Sequence, residues 1–146
     1  MKMKLDYNYV LVMFVLLSMG CNDPTHPQAT SSLLDPKGAF TLYVSNQSFA
    51  VNPVDVHVEI DGEIVVRDYF WVETQHTFVP FQMNLAQGPH KIRIWSEKEA
   101  VKLTKKFDLK DHDIGIVQFW YYDDSHYDPT PRSFSFSTQK GPLIIE

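Results

Sequence analysis

Hydrophobic and polar residues alternate with a period of two over most of the chain after residue 38. The clearest run is VDVHVEI at 54–60, in which three valines and an isoleucine alternate with polar residues. Such alternation is typical of a β-strand with one buried face. Seven further segments favour strands: AFTLYVS at 39–45, EIVV at 63–66, HTFVPFQMNL at 76–85, HKIRIWS at 90–96, AVKLTKKFDL at 100–109, IGIVQFWYY at 114–122 and RSFSFST at 132–138.

Three local signals indicate how these strands are arranged. Asp61-Gly62 lies between two apolar runs and predicts a tight hairpin, because a type I′ turn needs positive φ at both central residues. Pro80 has no N–H to donate and places its strand at a sheet edge or a bulge. The segment 114–122 is apolar on both faces, which favours a central strand. We therefore predict an all-β fold, an antiparallel β-sandwich of about seven to eight strands, immunoglobulin-like or prealbumin-like.

The N-terminal segment has a different pattern, without alternation. Lys2 and Lys4 precede an almost purely apolar run from Tyr9 to Met19. That run is too short for a membrane-spanning helix of about 20 residues and fits the apolar region of a signal peptide. Gly20 and then Cys21 follow it, and Cys21 is the single cysteine of the chain.

This arrangement resembles the bacterial lipoprotein signal, in which a small residue precedes a cysteine that becomes the lipidated N-terminus. The resemblance implies a signal peptide at 1–20 and diacylglycerol and acyl chains such as palmitate on Cys21. The sequence departs from the family at Ser18, where leucine is usual. The alternative is a chance cysteine in an ordinary cleaved signal or an uncleaved anchor.

The residues after Cys21 indicate a domain held on a tether. Residues 21–38 are rich in proline, serine and threonine without any period, which is typical of a flexible linker. We expect the sandwich domain to occupy 39–146. The lipoprotein resemblance implies that it is anchored to the bacterial cell membrane or outer membrane and lies outside the cytoplasm.

One part of the domain resembles a known module. VDVHVEIDGEIVV, followed by FQMNLAQGPHKIRIWSEKEA, is similar to PEGA-type domains, in which a strand ends in a DG hairpin and a later strand follows an L-x-x-G-x-H-x-I pattern. The resemblance covers residues 54–100. It implies an extracytoplasmic structural or interaction domain. The chain also resembles small bacterial lipoproteins that carry one β-sandwich.

Composition and charge narrow the possible functions. The chain has 146 residues, of which 44% are hydrophobic and 21% charged, and its formal net charge is -5. This is enough apolar material for one domain with an ordinary core. No Lys/Arg-rich run is present, which argues against nucleic-acid binding. A single cysteine makes no intramolecular disulfide. We expect a monomer without a cofactor.

Motifs for catalysis are absent from the sequence, which contains no P-loop, G-x-G-x-x-G, H-E-x-x-H, G-x-S-x-G or C-x-x-C. The densest polar cluster is YYDDSHYDP, where Asp123, Asp124, His126 and Asp128 could ligate a metal ion. The cluster lacks the EF-hand spacing. The alternative is a solvated turn whose residues are suited to turn chemistry.

The aromatic content suggests a contact surface. Trp95, Trp120, Tyr121, Tyr122 and Tyr127 are our candidates, because exposed rings supply a large apolar area with a polar edge. Trp71 belongs to the same excess of aromatic residues. The alternative is that these rings cover the open end of the sandwich or pack beneath the 67–78 loop.

These observations favour a non-catalytic binding or interaction lipoprotein of the bacterial envelope, whose partner is an envelope protein or a glycan. A carbohydrate-binding module that uses exposed aromatic residues is one alternative. A metal-dependent hydrolase is another.

Overall fold

The computed structural model describes residues 31–73, 77–110 and 113–143. The predicted signal peptide and Cys21 lie outside the described residues. The eight strands are β1 Phe40–Asn46, β2 Val54–Ile60, β3 Glu63–Phe70, β4 Val79–Met83, β5 Gly88–Ser96, β6 Val101–Leu109, β7 Ile114–Tyr122 and β8 Thr130–Gln139. Within the described ranges, no helix is long and apolar enough to cross a membrane.

The strands form two four-stranded sheets, which confirms the predicted all-β sandwich. The strand order is β4-β1-β7-β8 in the first sheet and β3-β2-β5-β6 in the second. All neighbouring strands are antiparallel except β1 and β7, which run parallel from the pair Thr41–Ile114 to the pair Asn46–Phe119. Alternation reports which face of a strand is buried and not the direction of its neighbour, so the sequence did not predict this parallel pair.

The local turn and edge predictions are also confirmed. Asp61 and Gly62 have φ of 51° and 92°, as a type I′ turn requires, and they connect β2 to β3. Pro80 lies in β4, which is an edge strand of the first sheet. The apolar segment 114–122 forms β7, which has a neighbour on each side.

The core lies between the two sheets, where the inward side chains of each strand meet. Val56, Val58 and Phe119 are completely buried. Gly115 provides space for this packing, because a Cβ at that position would lie 2.7 Å from Cζ of Phe40 and 3.0 Å from Cδ1 of Leu42. A close-packed interior of this kind leaves little room for added atoms.

The hairpin turn is fastened to β5 by a histidine. Nδ1 of His90 lies 2.6 Å from Oδ2 of Asp61, and Nε2 lies 2.7 Å from the Ala86 carbonyl oxygen. Both partners are acceptors, so the doubly protonated ring satisfies both contacts. Burial lowers the pKa of His90, but the hydrogen bonds to Asp61 and Ala86 outweigh it and hold the pKa above the usual value. The pKa of Asp61 lies below its usual value. Burial raises this pKa, but the hydrogen bond from His90 and the other hydrogen bonds lower it by more.

Residues 31–38, which the sequence assigns to the tether, lie along the edge strand β4. Leu34 forms a β-bridge with Met83. The amide of Asp35 donates to the Gln82 carbonyl oxygen at 3.0 Å. The amide of Asn84 donates to the Leu33 carbonyl oxygen, also at 3.0 Å. Leu33 and Leu34 also pack against the core. The ordered part of the domain therefore begins before Ala39.

The sandwich has two distinct ends. At one end, which we call the base, Ser31 donates a 2.8 Å hydrogen bond to Glu63 beside the Asp61-Gly62 turn. The opposite end, which we call the loop end, carries the connections β1–β2, β3–β4, β5–β6 and β7–β8. The chain therefore joins the domain at the end farthest from these four loops.

Candidate functional site

Exposed aromatic side chains mark the loop end. Four large hydrophobic side chains of the described residues are exposed: Phe49 (57%), Tyr69 (39%), Trp71 (46%) and Tyr127 (102%). Phe49 lies in the β1–β2 loop, Tyr69 near the end of β3, Trp71 in the β3–β4 connection and Tyr127 in the β7–β8 loop. All four therefore belong to the same end of the sandwich. Aromatic side chains in such a position are typical of contact surfaces.

A buried polar network supports these loops. Nδ2 of Asn46 donates to the carbonyl oxygens of Val51 at 2.7 Å and Phe70 at 3.2 Å. Oδ1 of Asn46 accepts from the amide of Ser48 at 2.9 Å. One buried amide group thereby ties the β1–β2 loop to the end of β3. Buried polar groups with all partners satisfied make such a region rigid.

The same network extends to the other loops. Oγ of Ser48 donates to the Tyr121 carbonyl oxygen at 2.8 Å. Oδ1 of Asp55 accepts from Oγ of Ser96 at 2.6 Å, and Oδ2 accepts from the amide of Glu97 at 2.8 Å. Burial raises the pKa of Asp55, yet these hydrogen bonds hold it below its usual value. Asp55 is therefore a carboxylate that fixes the β5–β6 loop.

A small cleft opens between the edge strands β3 and β4 at the loop end. Its volume is about 60 Å³, and its walls include Tyr69, Trp71 and Glu73. The rings of Tyr69 and Trp71 have centroids 6.3 Å apart and planes tilted by 58°. Nζ of Lys98 lies 4.5 Å from the centroid of the Tyr69 ring. The cleft is thus an aromatic slot with a carboxylate in its wall.

Acidic side chains are frequent on the loops of the loop end. The exposed carboxylates on the loops are Glu73, Glu97, Asp123, Asp124 and Asp128. The described cations at the same end are Lys98 on the β5–β6 loop and Lys102 and Arg132 near the starts of β6 and β8. Arg132 is already paired, because its Nε lies 2.6 Å from Oε2 of Glu99 and its guanidinium lies 3.9 Å from the centroid of the Tyr121 ring. The loop end therefore combines exposed rings with excess negative charge.

The sequence-predicted aromatic candidates do not form one surface. Trp95 lies in β5 of the second sheet, half-buried, with His57 stacked at 5.0 Å and the Arg93 guanidinium 4.7 Å from its ring centroid. Trp120 and Tyr122 lie in β7 of the first sheet, with centroids 6.4 Å apart, and both are half-buried.

The other two candidates differ from each other in exposure. Tyr121 packs against the core, as the covering alternative expected. Tyr127 is fully exposed in the β7–β8 loop. Of the five aromatic candidates, Tyr127 alone belongs to the group of exposed rings.

Sequence reasoning missed three members of this group as site residues. Trp71 belongs to the aromatic excess but not to the candidate set, and the sequence pattern singles out neither Phe49 nor Tyr69. Phe49 stands in the polar loop segment SNQSFAVNP, where no strand alternation accounts for an aromatic side chain. An isolated ring in a polar loop was therefore the signal available. Exposure at the end of β3 depends on how its loop folds, which alternation does not encode.

The four candidate metal ligands do not converge, and Asp123, His126 and Asp128 make turn contacts. Oδ1 of Asp123 accepts from the amide of Ser125 at 3.0 Å and from its hydroxyl at 2.5 Å. His126 stacks on Tyr122 with centroids 4.4 Å apart, and its Nδ1 accepts from the amide of Asp128 at 3.2 Å. Asp124 is exposed beside them. Among the residues that the structure describes, no group of three or more His, Cys, Asp or Glu side chains is placed to hold a metal ion.

Comparison of the chain with protein-family models, with curated proteins and with solved structures gives no match in any of the three. The PEGA-type and lipoprotein resemblances therefore stay predictions from the sequence, and the functional argument starts from the geometry of the loop end.

Proposed function

We propose that this protein is a membrane-anchored, non-catalytic binding lipoprotein of the bacterial cell envelope, and that its loop end holds the partner. One observation carries the proposal: every large hydrophobic side chain that is exposed in the described residues lies at the loop end. Exposed large apolar side chains gathered at one end of a domain are typical of a surface that contacts a partner.

The direction of the chain supports the same proposal. Ser31 lies at the base, hydrogen-bonded to Glu63, so an anchor at Cys21 would attach to the side away from the aromatic loops. A domain attached at its base can present Trp71 and Tyr127 on the side away from the membrane. The buried network around Asn46 fixes the loops before binding, which lowers the entropy lost on association.

The geometry favours a polypeptide partner over a carbohydrate. A sugar ring stacks on a flat aromatic face, but the rings of Tyr69 and Trp71 are tilted by 58° and form no common plane. Trp95 is likewise a poor platform, because His57 and Arg93 already pack on its ring.

The anchor is tested by metabolic labelling with a fatty acid in bacterial cells that make the full chain. The parent should incorporate the label and Cys21→Ala should not, because Cys21 is the only cysteine. Cys21→Ala labelled as strongly as the parent would contradict the lipid anchor.

The binding surface is tested by site-specific photo-cross-linking in the same cells. A photoreactive amino acid at Tyr127, at the loop end, should give a discrete cross-linked product, and the same group at Lys140, at the base, should not. The product should disappear when Trp71→Ala is added, because hot-spot rings typically contribute about 2 kcal/mol or more. Equal cross-linking from both positions, or a product insensitive to Trp71→Ala, would refute the loop end as the binding surface.

A further inference from the structure

We infer that the cleft beside Trp71 receives the cationic end of a lysine or arginine side chain, and that the partner held at the loop end is a basic polypeptide segment. This inference rests on the proposed binding function and specifies the chemistry of the partner.

The size and shape of the cleft limit what can enter it. The cleft has a volume of about 60 Å³ and lies between the edges of the two sheets, with Tyr69 and Trp71 in its walls. A single water needs about 10–15 Å³ of such volume, so the cleft has room for a few waters or for the end of one side chain. A lysine or arginine reaches such a slot because its charged end stands on a long aliphatic stem.

The walls of the cleft suit a cation. Aromatic faces attract ammonium and guanidinium groups through the ring quadrupole. Glu73 adds a carboxylate to the same wall. The protein already uses this chemistry internally, because Nζ of Lys98 lies 4.5 Å from the Tyr69 ring centroid.

The charge of the loop end favours the same partner. The exposed carboxylates of Glu97, Asp123, Asp124 and Asp128 lie on the neighbouring loops of the same end. Of the cations at this end, Arg132 is paired with Glu99. Excess negative charge of this kind attracts a basic segment and repels an acidic one.

Lys98 makes the inference sharply testable, because it competes with an incoming cation. Its ammonium group lies over the face of the Tyr69 ring and repels a second positive charge. Removing that charge while keeping the aliphatic stem, as in Lys98→Met, should therefore strengthen binding of a basic peptide. An anionic ligand would respond in the opposite direction.

The experiment measures binding of fluorescein-labelled peptides to the full chain in mild detergent by fluorescence anisotropy. The probes are (Lys-Gly)₆, (Arg-Gly)₆ and the acidic (Glu-Gly)₆. We expect the two basic peptides to bind and the acidic peptide not to bind. Trp71→Ala and Glu73→Gln should each weaken binding of the basic peptides about fivefold, and Lys98→Met should strengthen it about threefold.

Matched controls come from the base of the sandwich. Asp108 and Lys110 form an exposed ion pair of 3.2 Å there, so Asp108→Asn repeats the loss of a carboxylate and Lys110→Met repeats the loss of a lysine. Both should leave peptide affinity within about twofold of the parent, because they lie far from the cleft and surface charges are screened over about 10 Å in 0.1 M salt. Circular dichroism of each variant verifies that the fold is retained.

Three results would overturn the inference: preference for (Glu-Gly)₆, weaker basic-peptide binding in Lys98→Met, or equal losses in the base and loop-end variants. These outcomes differ from failure of the proposed function. If Trp71→Ala abolishes the cross-linked product in cells but neither basic peptide binds in vitro, the binding surface stands and its assigned partner chemistry is wrong. If the cross-links do not depend on the loop end, the proposed function itself is wrong.

Discussion

The loop end depends on one buried amide, and Asn46→Ala tests that dependence. The substitution removes the two hydrogen bonds that Nδ2 donates to Val51 and Phe70 and the one that Oδ1 accepts from Ser48. Asn46 is 1% exposed, so water does not readily replace these contacts. A net loss of about 1 kcal/mol for each hydrogen bond gives a destabilisation of about 3 kcal/mol.

That loss is large beside the 5–15 kcal/mol that typically stabilises a domain. We propose to measure it by equilibrium unfolding of the full chain in urea, followed by tryptophan fluorescence. Hydrogen exchange of the Ser48 amide should also accelerate, because its acceptor on Asn46 is gone.

Asn84→Ala is the matched control. Its side-chain amide donates to Asp35 at the base, but the contact is exposed, so the expected change in the free energy of unfolding is below about 1 kcal/mol. A loss below about 1 kcal/mol for Asn46→Ala would refute the conclusion that this side chain fixes the loops.

Three other perturbations address the turn and the core. Because the folded-state pKa of His90 is raised, its stabilisation is fully present below the unfolded pKa of about 6.5 and is lost as pH rises through the folded value. His90→Gln should therefore flatten the fall in unfolding free energy that accompanies a rise in pH above about 6.5. Gly115→Ala should destabilise the domain by about 1–3 kcal/mol in urea unfolding, because the new Cβ would lie 2.7 Å from the Phe40 ring. Val58→Asp should abolish the folded circular dichroism spectrum, because it buries an unpaired carboxylate at a position that is 0% exposed.

Each of these predictions has a contradicting result. An unchanged pH slope in His90→Gln would show that the ring does not fasten the turn through its charge. A Gly115→Ala variant as stable as the parent would mean that Phe40 moves aside without cost. A folded Val58→Asp variant would place that side chain outside the core.

The sequence predicted the strands well because one face of each is buried. Val54–Ile60 matches the predicted bounds of β2, and Asp61-Gly62 forms the predicted turn. These features are local, since alternation and positive φ are properties of short segments. The pairing of β1 with β7 joins distant segments, and neither segment encodes the direction of the other.

The candidate site was predicted less well for a related reason. Trp95 and Tyr121 were chosen by residue type and strand position, yet the first is packed by His57 and Arg93 and the second packs against the core. Phe49 and Trp71 are exposed because of the way in which the β1–β2 loop and the β3–β4 connection fold at the loop end. Exposure of a loop side chain depends on tertiary contacts, which a two-residue period does not report.

The parallel pairing of β1 and β7 also determines when the first sheet can be completed. β1 lies between β4 and β7, so its second neighbour does not exist until the ribosome has passed Ile114. At about 5–20 residues per second, synthesis from Asn46 to that point takes several seconds. During this delay β1 lacks one of its two neighbouring strands, so the first sheet cannot be completed before β7 has been made.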